Sequence, residues 1–278
     1  MNTNILRAAI NLSKMKDNNI MDIYKSNTRI NNVGDALEYY VRDIFCGMAK
    51  GSIANKEKAY AENFSYLGNQ NNPPDFIIKN GDAVEVKKIG TLKSAIALNS
   101  SYPKEKLLLG DGFITEACRQ CEQWEEKDYI YSVGSVINKK LKLLWLVYGD
   151  CYAANKNTYE RILKAIKNGV KQINGIQFSE TREIGKVKKV DPLGITVLRI
   201  RGMWHIDNPI RAFDYVAKYD PEKEFTMFAI MKKSKYLSFP KKDREEMESS
   251  GISISDTKIK DPNNPVNRID AKLIKVVF

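Results

Sequence analysis

Asp75, Glu85 and Lys87 are the residues whose types and spacing could do chemistry in this chain. They lie on two short apolar runs that flank Asn80 and Gly81, a dipeptide typical of a β-hairpin turn. Because side chains alternate between the two faces of a strand, Glu85 and Lys87 point to the same face. The two carboxylates and the ammonium group can therefore meet only if the hairpin also brings Asp75 to that face.

The length of the hairpin loop decides where Asp75 lies. A two-residue loop would pair Phe76 with Glu85 and turn Asp75 away from it. A three-residue loop, with Gly81 in the left-handed conformation of a bulge, would place Asp75 directly opposite Glu85. We predict the three-residue loop, because only that arrangement builds a site.

Two carboxylates whose β-carbons are about 5 Å apart repel each other unless a cation lies between them. Mg²⁺ binds to one or two carboxylates, waters and phosphate oxygens, so Asp75 and Glu85 suffice as side-chain ligands, and the backbone carbonyl of Val86 could add a third. Lys87 would hold the attacking water, lower its pKa and offset negative charge at phosphorus. The pattern indicates phosphodiester hydrolysis, although the same residue types also suit an ordinary solvated hairpin face.

The composition indicates a globular protein with an affinity for polyanions. The chain has 278 residues, 43% of them hydrophobic, and a net charge of +11. Such a surplus favours nucleic acid, since each neutralised phosphate releases counterions, although it also serves solubility. We expect no membrane partner, because no secretory signal or apolar run of spanning length is present, and four cysteines fit a reducing cytoplasm.

Several other elements carry polar side chains that a nucleic-acid site could use. A helix predicted from residue 33 to about 48 has Glu38 at the edge of its apolar face, where it is either a solvated rim residue or aimed at a site. A strand ending at Asn99 would deliver Ser100, Ser101, Tyr102 and Lys104, which suit DNA contacts or simply a turn. On a strand at 195–201, Arg199 and Arg201 share one face and could read guanine or pair with acids.

The residues Pro74-Asp75 and Glu85-Val86-Lys87, with nine residues between Asp75 and Glu85, resemble the PD-(D/E)XK nuclease signature. The surrounding sequence resembles one branch of that superfamily, the NgoPII-type type II restriction endonucleases. No match is identified after about Pro209. The stretches that carry the resemblance are, in order, NVGDALEY (32–39), FSYLGN (64–69), the hairpin, ALNSSYPK (97–104), VDPLGI (190–195) and RGMWHI (201–206).

This resemblance implies a Mg²⁺-dependent homodimer that cuts double-stranded DNA at a short palindrome, GGCC for this branch. It implies a cognate DNA methyltransferase that acts on the same site without direct contact. Glu38 matches an extra acid that some superfamily members carry on a helix before the core strands. With a G-rich target, Arg199 and Arg201 become the first candidates for base reading. The further DNA contacts expected are Asn99, Ser100, Ser101, Tyr102, Lys104 and Lys88.

The pattern of elements predicts an α/β fold, a mixed central sheet flanked by helices on both sides, with a PD-(D/E)XK core. Apolar runs at 129–137 and 141–148 predict a second, central hairpin, and a helix at 158–168 is expected to bury Ile162 and Ile166. Residues 251–265 are polar and predict a loop. We expect one catalytic and DNA-binding domain over 1–278, with the nuclease core within 33–150 and DNA-recognition elaborations within 95–105 and 182–245. The alternatives are a structure-specific DNA repair or junction nuclease, and a basic DNA-binding protein without catalysis.

Overall fold

A mixed β-sheet, with the Asp75–Glu85 hairpin close to one edge, organises the fold. The computed structural model describes residues 3–20, 33–48, 51–69 and 71–278. The helices are α1 (Ile5–Met15), α2 (Val33–Cys46), α3 (Ile53–Asn63), α4 (Glu116–Gln120), α5 (Lys156–Lys171), α6 (Pro209–Ala212), α7 (Lys233–Ser238) and α8 (Lys241–Ser249). The strands are β1 (Phe64–Asn69), β2 (Asn72–Ile78), β3 (Ala83–Ile89), β4 (Ile96–Asn99), β5 (Lys106–Leu108), β6 (Glu126–Ile137), β7 (Lys140–Tyr148), β8 (Gln177–Glu180), β9 (Gly185–Lys188), β10 (Leu198–Ile200), β11 (Trp204–Ile206), β12 (Thr226–Lys232), β13 (Ser253–Lys260) and β14 (Arg268–Val277).

The main sheet has the strand order β1-β2-β3-β6-β7-β12-β14-β13, and β5 pairs with β6. β3 is parallel to β6 and β7 is parallel to β12, while the other neighbours are antiparallel. The second hairpin, β6 and β7, lies in the centre as predicted, and its apolar residues form the middle of the core. The predicted mixed α/β fold is therefore confirmed.

Both faces of this sheet are covered. Val133 and Gly134 are neighbours on β6, so they face opposite sides. On one side, a Cβ on Gly134 would lie 2.7 Å from the Leu37 side chain of α2. On the other side, Val133 pairs with Trp145 of β7, whose ring stacks on Phe213 after α6 at 6.0 Å. No helix in the described ranges has the length and apolarity needed to cross a bilayer.

Two small sheets bring distant parts of the sequence together beside the main sheet. β8, β9 and β10 form one of them, and β4 pairs with β11 in the other. Trp204 of β11 lies opposite Asn99 at the end of β4. The segments predicted to contact DNA, 95–105 and the chain around residues 199–206, therefore lie next to each other.

The prediction of a loop at 251–265 is wrong for most of that segment. β13 pairs with β14 along its whole length, from Ser253 opposite Lys275 to Lys260 opposite Arg268. Only Ile259 of this edge strand is buried. The strand is held by backbone hydrogen bonds rather than by burial, so its sequence is polar and carries little alternation of apolar residues.

Gly149, directly after β7, marks a close approach between two backbone segments. A Cβ there would lie 2.4 Å from the carbonyl oxygen of Lys104 and 2.5 Å from that of Glu105. Because backbone atoms cannot move aside easily, Gly149→Ala is expected to lower the free energy of unfolding by about 2–3 kcal/mol in urea denaturation. Gly112→Ala is the matched control, since no heavy atom lies within 4 Å of its Cβ position. It should change stability by less than about 0.5 kcal/mol, and equal losses in both variants would contradict the close approach.

Candidate active site

The register of the β2–β3 hairpin places Asp75 opposite Glu85. Phe76 pairs with Val84 and Ile77 with Ala83, so the same register continues to these two acids. The loop has three residues, as predicted. The left-handed residue is Asn80, with φ 53°, and the prediction of Gly81 for that role is wrong. Asparagine tolerates this conformation, and the backbone N–H of Asn80 is anchored by the carboxylate of Glu122 at 2.9 Å.

The carboxylates and the ammonium group predicted to act together do meet at one place. The backbone N–H of Val86 donates to Asp75 Oδ2 at 2.6 Å. Lys87 Nζ lies 2.5 Å from Glu85 Oε1, and the Tyr129 hydroxyl donates to Glu85 Oε2 at 3.1 Å. Asp75, Glu85, Lys87 and Tyr129 line one cavity of about 180 Å³.

The cavity favours a bound cation. Burial raises the pKa of Asp75 well above its usual range, and the nearby carboxylates of Glu85 and Glu38 raise it further. Burial alone would lower the pKa of Lys87, but the carboxylates of Glu85 and Asp75 outweigh it and the pKa is raised. Lys87 is therefore protonated, and it offsets only part of the negative charge.

Glu38 on α2 is close enough to this cluster to interact electrostatically with Asp75 and Glu85. Burial raises the pKa of Glu38, its ion pair with Arg42 opposes this shift, and the charges of Asp35 and Glu85 add to it. Arg42 Nη2 also donates to the backbone carbonyl of Asp75 at 3.3 Å. One arginine thus links the helix acid to the strand that carries Asp75.

The donor set fits a hard divalent cation. Asp75 and Glu85 present carboxylate oxygens on one side of the hairpin, and Mg²⁺ needs few protein ligands because it keeps waters and binds substrate phosphate oxygens. Among the residues that the structure describes, no group of three or more His, Cys, Asp or Glu side chains forms a metal cage. The backbone carbonyl of Val86 stays a predicted third ligand.

The residues after β4 lie at the rim of the same cavity. Asn99, in the left-handed region with φ 52°, lines it together with Ser100, Ser101 and Tyr102. The Tyr102 ring stacks on Tyr159 of α5 with 5.4 Å between ring centroids. The structure thus gathers this whole predicted group at the mouth of the cavity.

The four predicted basic contacts differ in how available they are. Lys104 is 5% exposed and pairs with Asp111 at 2.7 Å, whereas Lys88 is exposed on the strand face opposite to Lys87. Arg199 and Arg201 are 49% and 59% exposed at their side chains, and both contact the carboxylate of Glu183.

Arg42, Tyr129 and Glu183 contact the predicted site residues, but sequence reasoning did not single them out. Arg42 carries a usable signal, since it is four residues after Glu38 on one helix face. Tyr129 and Glu183 carry none, because each reaches the site through long-range pairing of strands.

Comparison with known proteins gives a consistent result over nearly the whole chain. The family model described as NgoPII restriction endonuclease matches residues 3–261. The chain is 48% identical to the "Type II restriction enzyme NgoPII" of Neisseria gonorrhoeae over 273 residues. This alignment covers 98% of the chain and 98% of that relative. No solved structure matches the chain. The resemblance therefore extends well beyond Pro209, where the sequence stretches alone had ended.

Proposed function

This chain belongs to the NgoPII restriction endonuclease family and is a type II restriction endonuclease, and we propose that it cuts double-stranded DNA at GGCC with Mg²⁺ as cofactor. The observation that supports the chemistry is the pairing of Asp75 and Glu85 across the hairpin, with Lys87 on the same face. The target sequence comes from the family resemblance.

Each residue of the cluster has a distinct part in the proposed hydrolysis. Asp75 and Glu85, with the Val86 carbonyl, would hold Mg²⁺, which would polarise the phosphate oxygens. Lys87 would donate a hydrogen bond to the attacking water and orient it toward phosphorus, and its positive charge would stabilise the charge that develops there. Glu38, held by Arg42, would assist from α2.

The surface around the cavity would recognise the DNA. We propose that Arg199 and Arg201 read guanine, since a guanidinium matches the O6 and N7 acceptors in a bidentate way. Asn99, Ser100, Ser101 and Tyr102 would contact bases or phosphates at the cavity mouth, and Lys88 would contact a phosphate. We assign Lys104 the positioning of this segment, because its ammonium is buried against Asp111.

The proposal extends to the organisation of the protein. Residues 1–278 would form one catalytic and DNA-binding domain, with the nuclease core within 33–150 and DNA-recognition elaborations within 95–105 and 182–245. A palindrome is matched by a twofold protein, so a homodimer would place one cavity on each strand. The enzyme would act in the cytoplasm, with a methyltransferase that modifies the same sequence without contacting it.

Digestion of a sequenced plasmid tests this function directly. With Mg²⁺, discrete fragments whose ends all fall within GGCC are expected, and neither EDTA-treated enzyme nor plasmid methylated at GGCC should give them. Random nicking or cutting at branched structures would favour a repair or junction nuclease instead. If the protein shifts DNA in a gel but shows no chelator-sensitive cleavage, the result would indicate a basic DNA-binding protein without catalysis.

Tyr129→Phe tests how firmly Glu85 must be held. The variant loses the hydroxyl that donates to Glu85 Oε2, so the carboxylate gains freedom while the packing of the ring is kept. Loss of such an outer partner typically weakens metal affinity or activity by about 10–100-fold. We expect the Mg²⁺ concentration for half-maximal cleavage to rise about tenfold. Tyr148→Phe, which removes a hydroxyl bonded to Asp82 at the far end of the hairpin, is the control and should leave this Mg²⁺ dependence unchanged.

A further inference from the structure

Glu183, in the turn between β8 and β9, holds both arginines that are the candidates for base reading. Its Oε2 lies 3.5 Å from Arg199 Nη2 and 3.3 Å from Arg201 Nε. Its other oxygen, Oε1, accepts a hydrogen bond from Ser100 Oγ at 2.9 Å. One carboxylate thus joins Arg199 of β10 and Arg201, which follows that strand, to the segment after β4.

This carboxylate also lies at the catalytic cavity. Glu183 lines the cavity that contains Asp75, Glu85 and Lys87, and only 14% of its side chain is exposed. The two arginines are about half exposed, so they can change partners while Glu183 stays in place. By itself, the carboxylate of Glu183 would make no favourable contact with a phosphodiester substrate. Once Arg199 and Arg201 had moved away from it, its negative charge would repel the DNA backbone.

We propose that Glu183 is a specificity-determining residue, a carboxylate that keeps Arg199 and Arg201 from binding DNA non-specifically until a matching sequence displaces it. This proposal rests on the proposed function. On non-cognate DNA the arginines would exchange Glu183 for phosphates, one charge pair for another, with little net gain. On cognate DNA they would gain bidentate contacts to guanine, which exceed the loss of the ion pairs.

The test is Glu183→Gln, which keeps the size of the side chain and its hydrogen bond to Ser100 but removes the charge. Affinity for a non-cognate duplex, measured by fluorescence anisotropy in EDTA, is expected to rise about fivefold. The released arginines would contact phosphates, so the slope of log affinity against log salt should steepen by about one to two. The ratio of cleavage rates at GGCC and at sites with one base changed should fall by a similar fivefold factor.

Asp256→Asn is the matched control. Asp256 lies on the far edge strand β13 and also pairs with two cations, Lys233 and Lys272. It should leave non-cognate affinity unchanged, and an equal rise in both variants would assign the effect to net charge and overturn the proposal. An unchanged non-cognate affinity in Glu183→Gln would also overturn it. A loss of binding to both duplexes together with a lower Tm would do the same, since it would show a structural role.

These outcomes are separable from a failure of the proposed function. A wild-type enzyme that does not cut GGCC would reject the target sequence, while the comparison of non-cognate affinities would still decide the role of Glu183. If the wild type cuts GGCC but Glu183→Gln leaves the non-cognate affinity unchanged, only the proposal for Glu183 is rejected.

Discussion

Replacing Lys87 with alanine is expected to abolish DNA cleavage while leaving DNA binding largely intact. The ammonium group lies 2.5 Å from Glu85 and faces the cavity, where it would orient the attacking water and stabilise charge at phosphorus. Removal of one preorganised donor of this kind costs about a hundredfold to a thousandfold in rate. Single-turnover cleavage at saturating enzyme measures the chemical step, and a gel shift in EDTA measures binding.

Lys88→Ala is the matched control for the loss of one positive charge. Lys88 is the next residue on β3 and is exposed on the opposite face, so its removal affects phosphate binding at most. Its single-turnover rate at saturation should match the wild type. A Lys87→Ala enzyme with full activity, or equal rate losses in both variants, would contradict the role given to Lys87.

Asp75→Asn is expected to abolish cleavage and, without Mg²⁺, to stabilise the folded protein at pH 8. Burial and the charges of Glu85 and Glu38 raise the pKa of Asp75, and this direction already includes the attraction of Lys87. An acid whose pKa is higher in the folded than in the unfolded state loses stability as the pH rises above its ordinary value. Asparagine removes that penalty and keeps an acceptor for the Val86 N–H, so we expect a gain of about 1–2 kcal/mol.

The gain should depend on both pH and Mg²⁺. It should shrink as the pH falls toward the ordinary range of an aspartate, where the wild type is protonated in both states. Mg²⁺ should raise the Tm of the wild type but not that of the variant, because in the proposed function the ion binds the folded wild type through Asp75. Thermal unfolding followed by circular dichroism at several pH values, with EDTA or Mg²⁺, measures all three effects.

Asp191→Asn provides a control of opposite sign. Hydrogen bonds from Thr196, and from neighbouring backbone N–H groups, lower the pKa of Asp191, so its ionised form stabilises the fold and neutralisation should give no gain. If Asp75→Asn were less stable than the wild type at pH 8 in EDTA, that result would contradict the claim that the buried Asp75 carboxylate, close to Glu85 and Glu38, destabilises the folded protein.

The hairpin could be predicted because its geometry is local. Asn80 and Gly81 indicate a tight loop, and the alternation of side chains then determines that Lys87 shares a face with Glu85. The face of Asp75 depended on the choice between a two-residue and a three-residue loop. The position of Glu38 on its helix could be predicted for a similar reason, since helical periodicity alone places it at the edge of an apolar face, while its role in the site stays a prediction. The bulge residue was assigned wrongly because Asn80, anchored by Glu122 from a distant segment, takes the left-handed conformation instead of Gly81.

Helix α5 shows a limit of periodicity. Its apolar residues have helical spacing, and the helix predicted at 158–168 forms over the longer range Lys156–Lys171. Ile162 and Ile166, expected to be buried, are 41% and 42% exposed. Periodicity identifies an apolar face, but it contains no information on whether another element covers that face.

The sequence by itself determined that Glu85 and Lys87 share one face of a hairpin strand, because neighbours along a strand are bound by short-range geometry. The register seen in the structure then placed Asp75 opposite Glu85. The tertiary structure decided which groups surround that cluster. Tyr129 reaches Glu85 through the parallel pairing of β3 with β6, and Glu183 meets Ser100 across 83 residues of chain. Such contacts arise from the packing of separate strands, which no local pattern of residue types encodes.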